Sequence, residues 1–225
     1  MNRRILLLSL LTSAGVLVST VSYAQLNLSQ FGLGGANPSA NGGAAATSGG
    51  AAQLLQSYVG ANQQVLSGQS SLASAMGLGS AAGQAQQAAG LLNGTPSVSQ
   101  LTQVGSTQQT LSQTLTQAFA QQGAGGSAAP VNKQAFTDGL TSLGNGVSQY
   151  SSLKSSLGGA SQMNPTALLQ SGLNPQTAQT ASYIAQSAPG QLQSLMSTLS
   201  QAVQFASSHG ISVPSIATSA LKGGF

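Results

Sequence analysis

The sequence predicts an all-α protein: an up-and-down helical bundle of about four long helices and three or four short ones, preceded by a signal peptide and a flexible Gly/Ala/Asn-rich leader. Three observations carry this expectation. Apolar residues recur at alternating steps of four and three along several long stretches. Strand-like alternation is confined to Ile211-Ser212-Val213. The connections are short and rich in Gly, Asn and Pro, which favours antiparallel neighbours.

The clearest stripe runs from Phe136 to Leu157. Phe136, Leu140, Leu143, Val147, Tyr150 and Leu157 form an a/d seam, with Lys154 in the one gap and Ser, Thr, Gln, Asn and Gly on the outward positions. Gly139, Gly144 and Gly146 flank the stripe. A helical glycine costs roughly 1 kcal/mol relative to alanine, but it lets a neighbouring backbone come close.

The chain opens Met1-Asn2-Arg3-Arg4, continues through an apolar run from Ile5 to Leu11, and reaches Val21-Ser22-Tyr23-Ala24. A basic start, an apolar middle and small residues before the cut read as a Sec-type signal peptide over 1–24, cleaved between Ala24 and Gln25. The polar Thr12, Ser13, Ser19 and Thr20 make the segment a poor permanent span. The expected location is therefore periplasmic or secreted. Residues 25–50 are too poor in apolar side chains to offset their ordering entropy and are expected to form a flexible leader. Residues 51–225 are expected to form a single helical-bundle domain.

Within that domain the first long helix is expected over Ala51–Met76, with Leu55, Tyr58, Val65, Leu72 and Met76 on a heptad and Asn62 and Gln69 at the intervening positions. Gly77-Leu78-Gly79 ends it. A short helix, Ser80–Leu92, stops at the turn signal Asn93-Gly94-Thr95-Pro96. Ser97–Gln122 repeats the long pattern with Leu101, Val104, Leu111, Leu115 and Ala118, interrupted by Gln108. A Gly/Ala/Ser linker over 123–129 leads to Pro130 and the central helix.

Asn164-Pro165 and Asn174-Pro175 combine a capping residue with proline at the first helical position, so short helices are expected over 165–171 and from Pro175 to about Ala188. Pro189-Gly190 then starts a last long helix carrying Leu192, Leu195, Met196, Leu199, Val203 and Ala206 and ending at His209-Gly210. Pro214–Leu221 closes the chain as a turn or short helix. The polar seam residues Asn62, Gln69, Gln108 and Lys154 either fix register inside the bundle or stand partly exposed at its ends.

Charge is the anomaly. Only 3% of the residues are charged, against about a quarter in an ordinary globular protein. Beyond residue 24 there are Lys133, Lys154 and Lys222 against Asp138, three positive charges to one negative, or +2. The sequence pI near 9.9 thus reflects scarcity of charge, and no Lys/Arg patch exists to meet nucleic acid. Acid unfolding acts mainly through carboxylates paired in the native state, so one carboxylate implies acid tolerance. Low charge also removes the repulsion that keeps copies of a protein apart, which favours self-association.

Chemistry is hard to find. A carboxylate pair for acid/base work is missing, because Asp138 stands alone. No Gly-x-Ser-x-Gly elbow frames a nucleophile for a triad with His209 and Asp138. Cysteine is absent, which excludes disulfides, thiolate metal sites and a lipid-attached N-terminus. His209 before Gly210 reads as a helix C-terminal residue, and Asp138 as an acidic residue early in the central helix, both favoured by the helix dipole. Lys133 and Lys154 fall at seam positions, where they snorkel or meet an acidic partner. The predicted catalytic, cofactor-binding and metal residues are accordingly none.

In being rich in Gly, Ser, Gln and Leu, helical and cysteine-free, the chain resembles harpins and other secreted axial or accessory proteins of bacteria, a likeness of composition with no shared motif. The function expected from the residues is that of an exported, non-enzymatic helical protein with a structural or interaction role in the bacterial envelope or extracellular space. The expected partners are itself, an envelope or extracellular protein, or a polysaccharide, met through amide and hydroxyl faces. The alternative is a membrane-active or envelope-associated secretion accessory factor, which the lack of a cationic helix face disfavours.

Overall fold

The structure, a computed structural model, describes residues 43–123, 132–157 and 175–223. These form six helices: α1 (Gly43–Ala75), α2 (Gly79–Gly90), α3 (Val98–Gly123), α4 (Lys133–Leu157), α5 (Pro175–Ser208) and α6 (Ser215–Gly223). The described residues contain no strand and are all-helical in their regular structure, as their periodicity requires. The signal peptide, leader residues 25–42, the linker over 124–131, the helix expected over 165–171 and Phe225 lie outside the described residues.

Two helix boundaries differ from the sequence reading. Helix α1 begins at Gly43, inside the segment expected to be flexible leader. Alanines at 44–46 and 51–52 are the best helix formers, and with Leu54, Leu55 and Tyr58 packed they carry the helix backward through Gly49 and Gly50, each of which costs about 1 kcal/mol. The second difference is larger: the helices expected on either side of Pro189 are one continuous helix, α5. Ala181, Ile184, Ala188, Leu192, Leu195, Leu199, Ala202 and Ala206 are buried at unbroken steps of three and four. Pro189 itself faces outward, where its ring displaces one backbone hydrogen bond without disturbing the packed side.

Local capping explains the starts. Pro96 leads into Ser97, whose backbone N–H donates to Gln100 Oε1 (2.8 Å) while its Oγ accepts from the Gln100 N–H (3.4 Å), a reciprocal capping box at the head of α3. Asn132 caps α4 by accepting the Ala135 N–H at 3.0 Å.

The seam of α4 is buried as its spacing requires: Phe136, Leu140, Leu143, Val147 and Tyr150 are each fully enclosed. At the next turn the second of the two roles left open for the polar seam residues is the one observed. Lys154 is exposed and Leu153 fills the buried position. An unpaired ammonium is costly to enclose, so the lysine stays in water and the neighbouring leucine joins the core.

Helix α4 packs against α1, α5 and α6, while α3 packs against α1, α2 and α5. Helices α3 and α4 face each other across the core through Phe119 and Phe136, whose ring centres are 5.9 Å apart. The closest approach is between α1 and α4. A Cβ at Gly68 would stand 2.6 Å from the Leu143 backbone nitrogen, and one at Gly139 would meet Leu72 Cγ at 2.8 Å. Gly68 of α1 with Gly139 and Gly146 of α4 are therefore what allow these two backbones to touch, while Gly144 faces Ala217 of α6.

Candidate functional site

Each carboxamide placed on a buried seam must find partners or forfeit about the desolvation cost of its polar atoms. Asn62 and Gln69 of α1 and Gln108 and Ser112 of α3 are all buried, and they answer one another. Asn62 Nδ2 donates to the Tyr58 carbonyl one turn back at 2.7 Å. Gln108 Nε2 donates to Asn62 Oδ1 at 2.8 Å. Gln69 Nε2 donates to the Gln108 carbonyl (3.1 Å) and to Ser112 Oγ (3.0 Å). Of the two roles left open for these seam residues, enclosure inside the bundle is the one observed. Gln69 Oε1 and Gln108 Oε1 remain buried acceptors without a donor among the described residues.

This chain of amides adjoins a tyrosine cluster. Tyr58 of α1 and Tyr150 of α4 stand edge to face with ring centres 5.7 Å apart. Both hydroxyls donate to Gln191 Oε1 of α5, each at 2.8 Å. Tyr183, one pair of turns earlier on α5, donates to the Leu101 carbonyl of α3 at 3.1 Å. Burial pushes the Tyr150 phenol well above the ordinary tyrosine range, with the neighbouring Tyr58 adding to the effect, and burial raises Tyr58 as well. Both phenols therefore stay protonated and act as fixed donors.

Gln191 and Tyr183 had no distinguishing feature in the sequence. They become significant only because α5 carries them to side chains far away in the chain. Tyr58 and Tyr150 were visible as seam residues, but nothing in their spacing announced a shared acceptor.

The residues that sequence reasoning weighed for chemistry lie at the opposite end of α5. His209 follows its last turn; Gly210, at φ +61°, takes the left-handed conformation that lets the Ile211 N–H return to the Ala206 carbonyl at 2.9 Å. The His209 ring stacks on Phe205 with centres 4.0 Å apart, and its Nδ1 lies 2.9 Å from the Phe205 carbonyl. The Ser208 hydroxyl lies 3.0 Å from the same nitrogen, so Nδ1 has a partner in either tautomer, donating to the carbonyl or accepting from the hydroxyl. Lys133, at the start of α4, donates to the His209 and Gly210 carbonyls at 3.2 and 3.4 Å. It thus closes the C-terminal end of α5.

Asp138 is exposed and accepts from Gln134 Nε2 at 2.9 Å. Among the described residues no hydrogen bond or ion pair joins it to His209. Lys154 is exposed on α4.

Two surface grooves complete the picture. One, of about 420 Å³, lies between α3 and α5, with Ser112, Gln113, Thr116, Gln193 and Ser197 among its walls. The other, of about 410 Å³, lies between α2 and α3 beside Gln84, Gln87, Gln103 and Thr107. Both offer amide and hydroxyl groups and no ionic side chain. Ser112 belongs at once to the floor of the first groove and to the buried amide chain. Such walls can hydrogen-bond to a neutral polar partner in either sense. Among the described residues no three His, Asp or Glu side chains gather as metal ligands, and no helix is long and apolar enough to cross a membrane.

No protein-family model, no curated protein and no solved structure matches the chain.

Proposed function

We propose that the protein is an exported, non-enzymatic, up-and-down helical bundle with a structural or interaction role in the bacterial envelope or extracellular space. The observation that carries this reading is the contrast between the core and its covering. A fully packed apolar seam is clothed on its exposed positions almost wholly in Gln, Ser, Thr, Asn and Gly. A surface of that kind neither attracts nor repels by long-range charge, and it works by direct hydrogen bonding at contact.

Export is supported by the basic, apolar and small-residue order of residues 1–24. The partners that fit are a second copy of the chain, an envelope or extracellular protein, or a neutral polysaccharide laid against the amide-walled grooves. Acid tolerance belongs to the same reading, because binding of this type does not depend on ionised groups.

Sedimentation of the secreted protein at about neutral pH and at about pH 3, together with retention on neutral polysaccharide, tests the proposal. Reversible association or retention that persists in acid is expected. A strictly monomeric product that unfolds in acid and is retained by nothing overturns it.

A further inference from the structure

The chain contains three Asn-Gly pairs, Asn41-Gly42, Asn93-Gly94 and Asn145-Gly146, of which the last two are among the described residues. The same dipeptide thus occurs in two opposite settings. Asn145-Gly146 is in the middle of α4, where the Gly146 amide belongs to the helical ladder and a Cβ at Gly146 would meet Val65 Cγ2 at 2.6 Å. Asn93-Gly94 is in the turn between α2 and α3. Asn93, Gly94 and Thr95 are all exposed, Gly94 has φ +79°, and nothing lies within 4 Å of where its Cβ would be.

The turn is held at both ends and open between them. Leu92 is buried, and the Asn93 N–H reaches back to the Gly90 carbonyl at 3.3 Å. On the far side Pro96 is buried and Ser97 is engaged in the capping box. Among the described residues no hydrogen bond holds the Gly94 N–H.

We propose that Asn93 is a self-modification site, at which the Gly94 backbone nitrogen converts the side-chain amide to a carboxylate. The Gly94 nitrogen loses its proton to hydroxide and attacks Asn93 Cγ. A new C–N bond closes a five-membered succinimide, the Cγ–Nδ2 bond breaks, and ammonia leaves with a proton from water. Water then opens the ring at either carbonyl, giving aspartate or isoaspartate. The net change consumes one water and releases one ammonia, and it needs no oxidant, metal or enzyme. Glycine on the following side permits the approach because no Cβ shields its nitrogen.

Neither α2, the turn nor α3 carries a charged or titratable side chain, and of the helices packed on them α1 carries only Tyr58 among its described side chains and α5 only Tyr183, whose hydroxyl is bonded to the Leu101 carbonyl. Hydroxide from solvent is therefore the base, and the reaction quickens as pH rises. The chemical consequence is large for this chain. It has one acidic side chain in all, so conversion of Asn93 doubles that number and puts a negative charge on an otherwise neutral turn. The protein would carry a record of its age in its charge.

The test is to incubate the full chain at about pH 8 and about pH 5, in buffer and in denaturant, and to follow each Asn-Gly pair by mass in peptic peptides. In buffer, Asn93 is expected to convert at least about tenfold faster than Asn145, whose reaction needs α4 to open; in denaturant the two converge. Both aspartate and isoaspartate form, faster at the higher pH, and Asn93→Gln abolishes the change at that position alone. If Asn93 does not outpace Asn145 in the folded chain, or stays intact while it converts in denaturant, the proposal is overturned.

Discussion

Tyr58 and Tyr150 meet edge to face in the core, 5.7 Å between ring centres, and turn both hydroxyls to one oxygen of Gln191 at 2.8 Å. A single carboxamide on α5 thereby ties α1 to α4. The link is directional, unlike the apolar contacts around it, and it specifies which face of α5 enters the core.

Replacing that carboxamide should be expensive. Gln191→Leu takes the shared acceptor from two enclosed phenolic donors and is expected to cost roughly 2–4 kcal/mol of stability. Tyr58→Phe or Tyr150→Phe alone should cost about 1 kcal/mol each, and less once Gln191 is gone. Chemical denaturation of the single and double variants measures the coupling. Equal costs in both backgrounds would show that the three groups do not act together.

The same phenols set an alkaline limit. Their values in the folded protein are raised above the ordinary one near 10. The folded state thus holds protons that the unfolded chain releases, so the associated stability is complete below about pH 10 and falls as pH climbs beyond it. At the acid end there is one side-chain carboxylate to protonate. Circular dichroism should therefore show helix preserved near pH 3 and lost on going well above about pH 10, together with the phenolate absorbance. Loss of helix in acid ahead of alkali contradicts this assignment.

Glycine substitutions should act with opposite signs at two positions. Gly68→Ala puts a methyl group 2.6 Å from the Leu143 backbone nitrogen, which cannot swing away, so the helices must part and stability must fall. Gly83→Ala in α2 meets nothing within 4 Å and should gain roughly 0.5–1 kcal/mol from helix propensity. Melting temperatures that move the same way for both variants would remove the argument for close packing of α1 on α4.

Pro189 offers a further check. It is exposed inside α5, with the buried stripe running past it on the other side. Pro189→Ala restores a backbone donor without touching the core and should stabilise the protein by about 1–3 kcal/mol. A destabilised variant would mean that the proline has a positive structural role in α5.

Much of this was readable before any coordinates. The seam of α4 from Phe136 to Tyr150, the start of α3 after Pro96, and the end of α5 at His209-Gly210 all follow from spacing and capping, which act over one or two turns. The break expected at Pro189 did not occur, because a proline signal is local whereas the stripe from Ala181 to Ala206 is packed along its whole length. Lys154 was placed at a seam position by its spacing, and Leu153 took the buried place because an unpaired ammonium is costly to enclose.

By itself, the sequence determined the helical class, the near-absence of charge and the poverty of groups for bond-breaking, since each depends on residue type and short-range order. Tertiary structure alone decided that Gln191, 133 residues from Tyr58 and 41 from Tyr150, becomes their common acceptor, and that Asn62, Gln69 and Gln108 are enclosed together. It also decided which of two identical Asn-Gly pairs is open to solvent. Periodicity says that a helix has an inner face; only the packing of all the helices says what that face will meet.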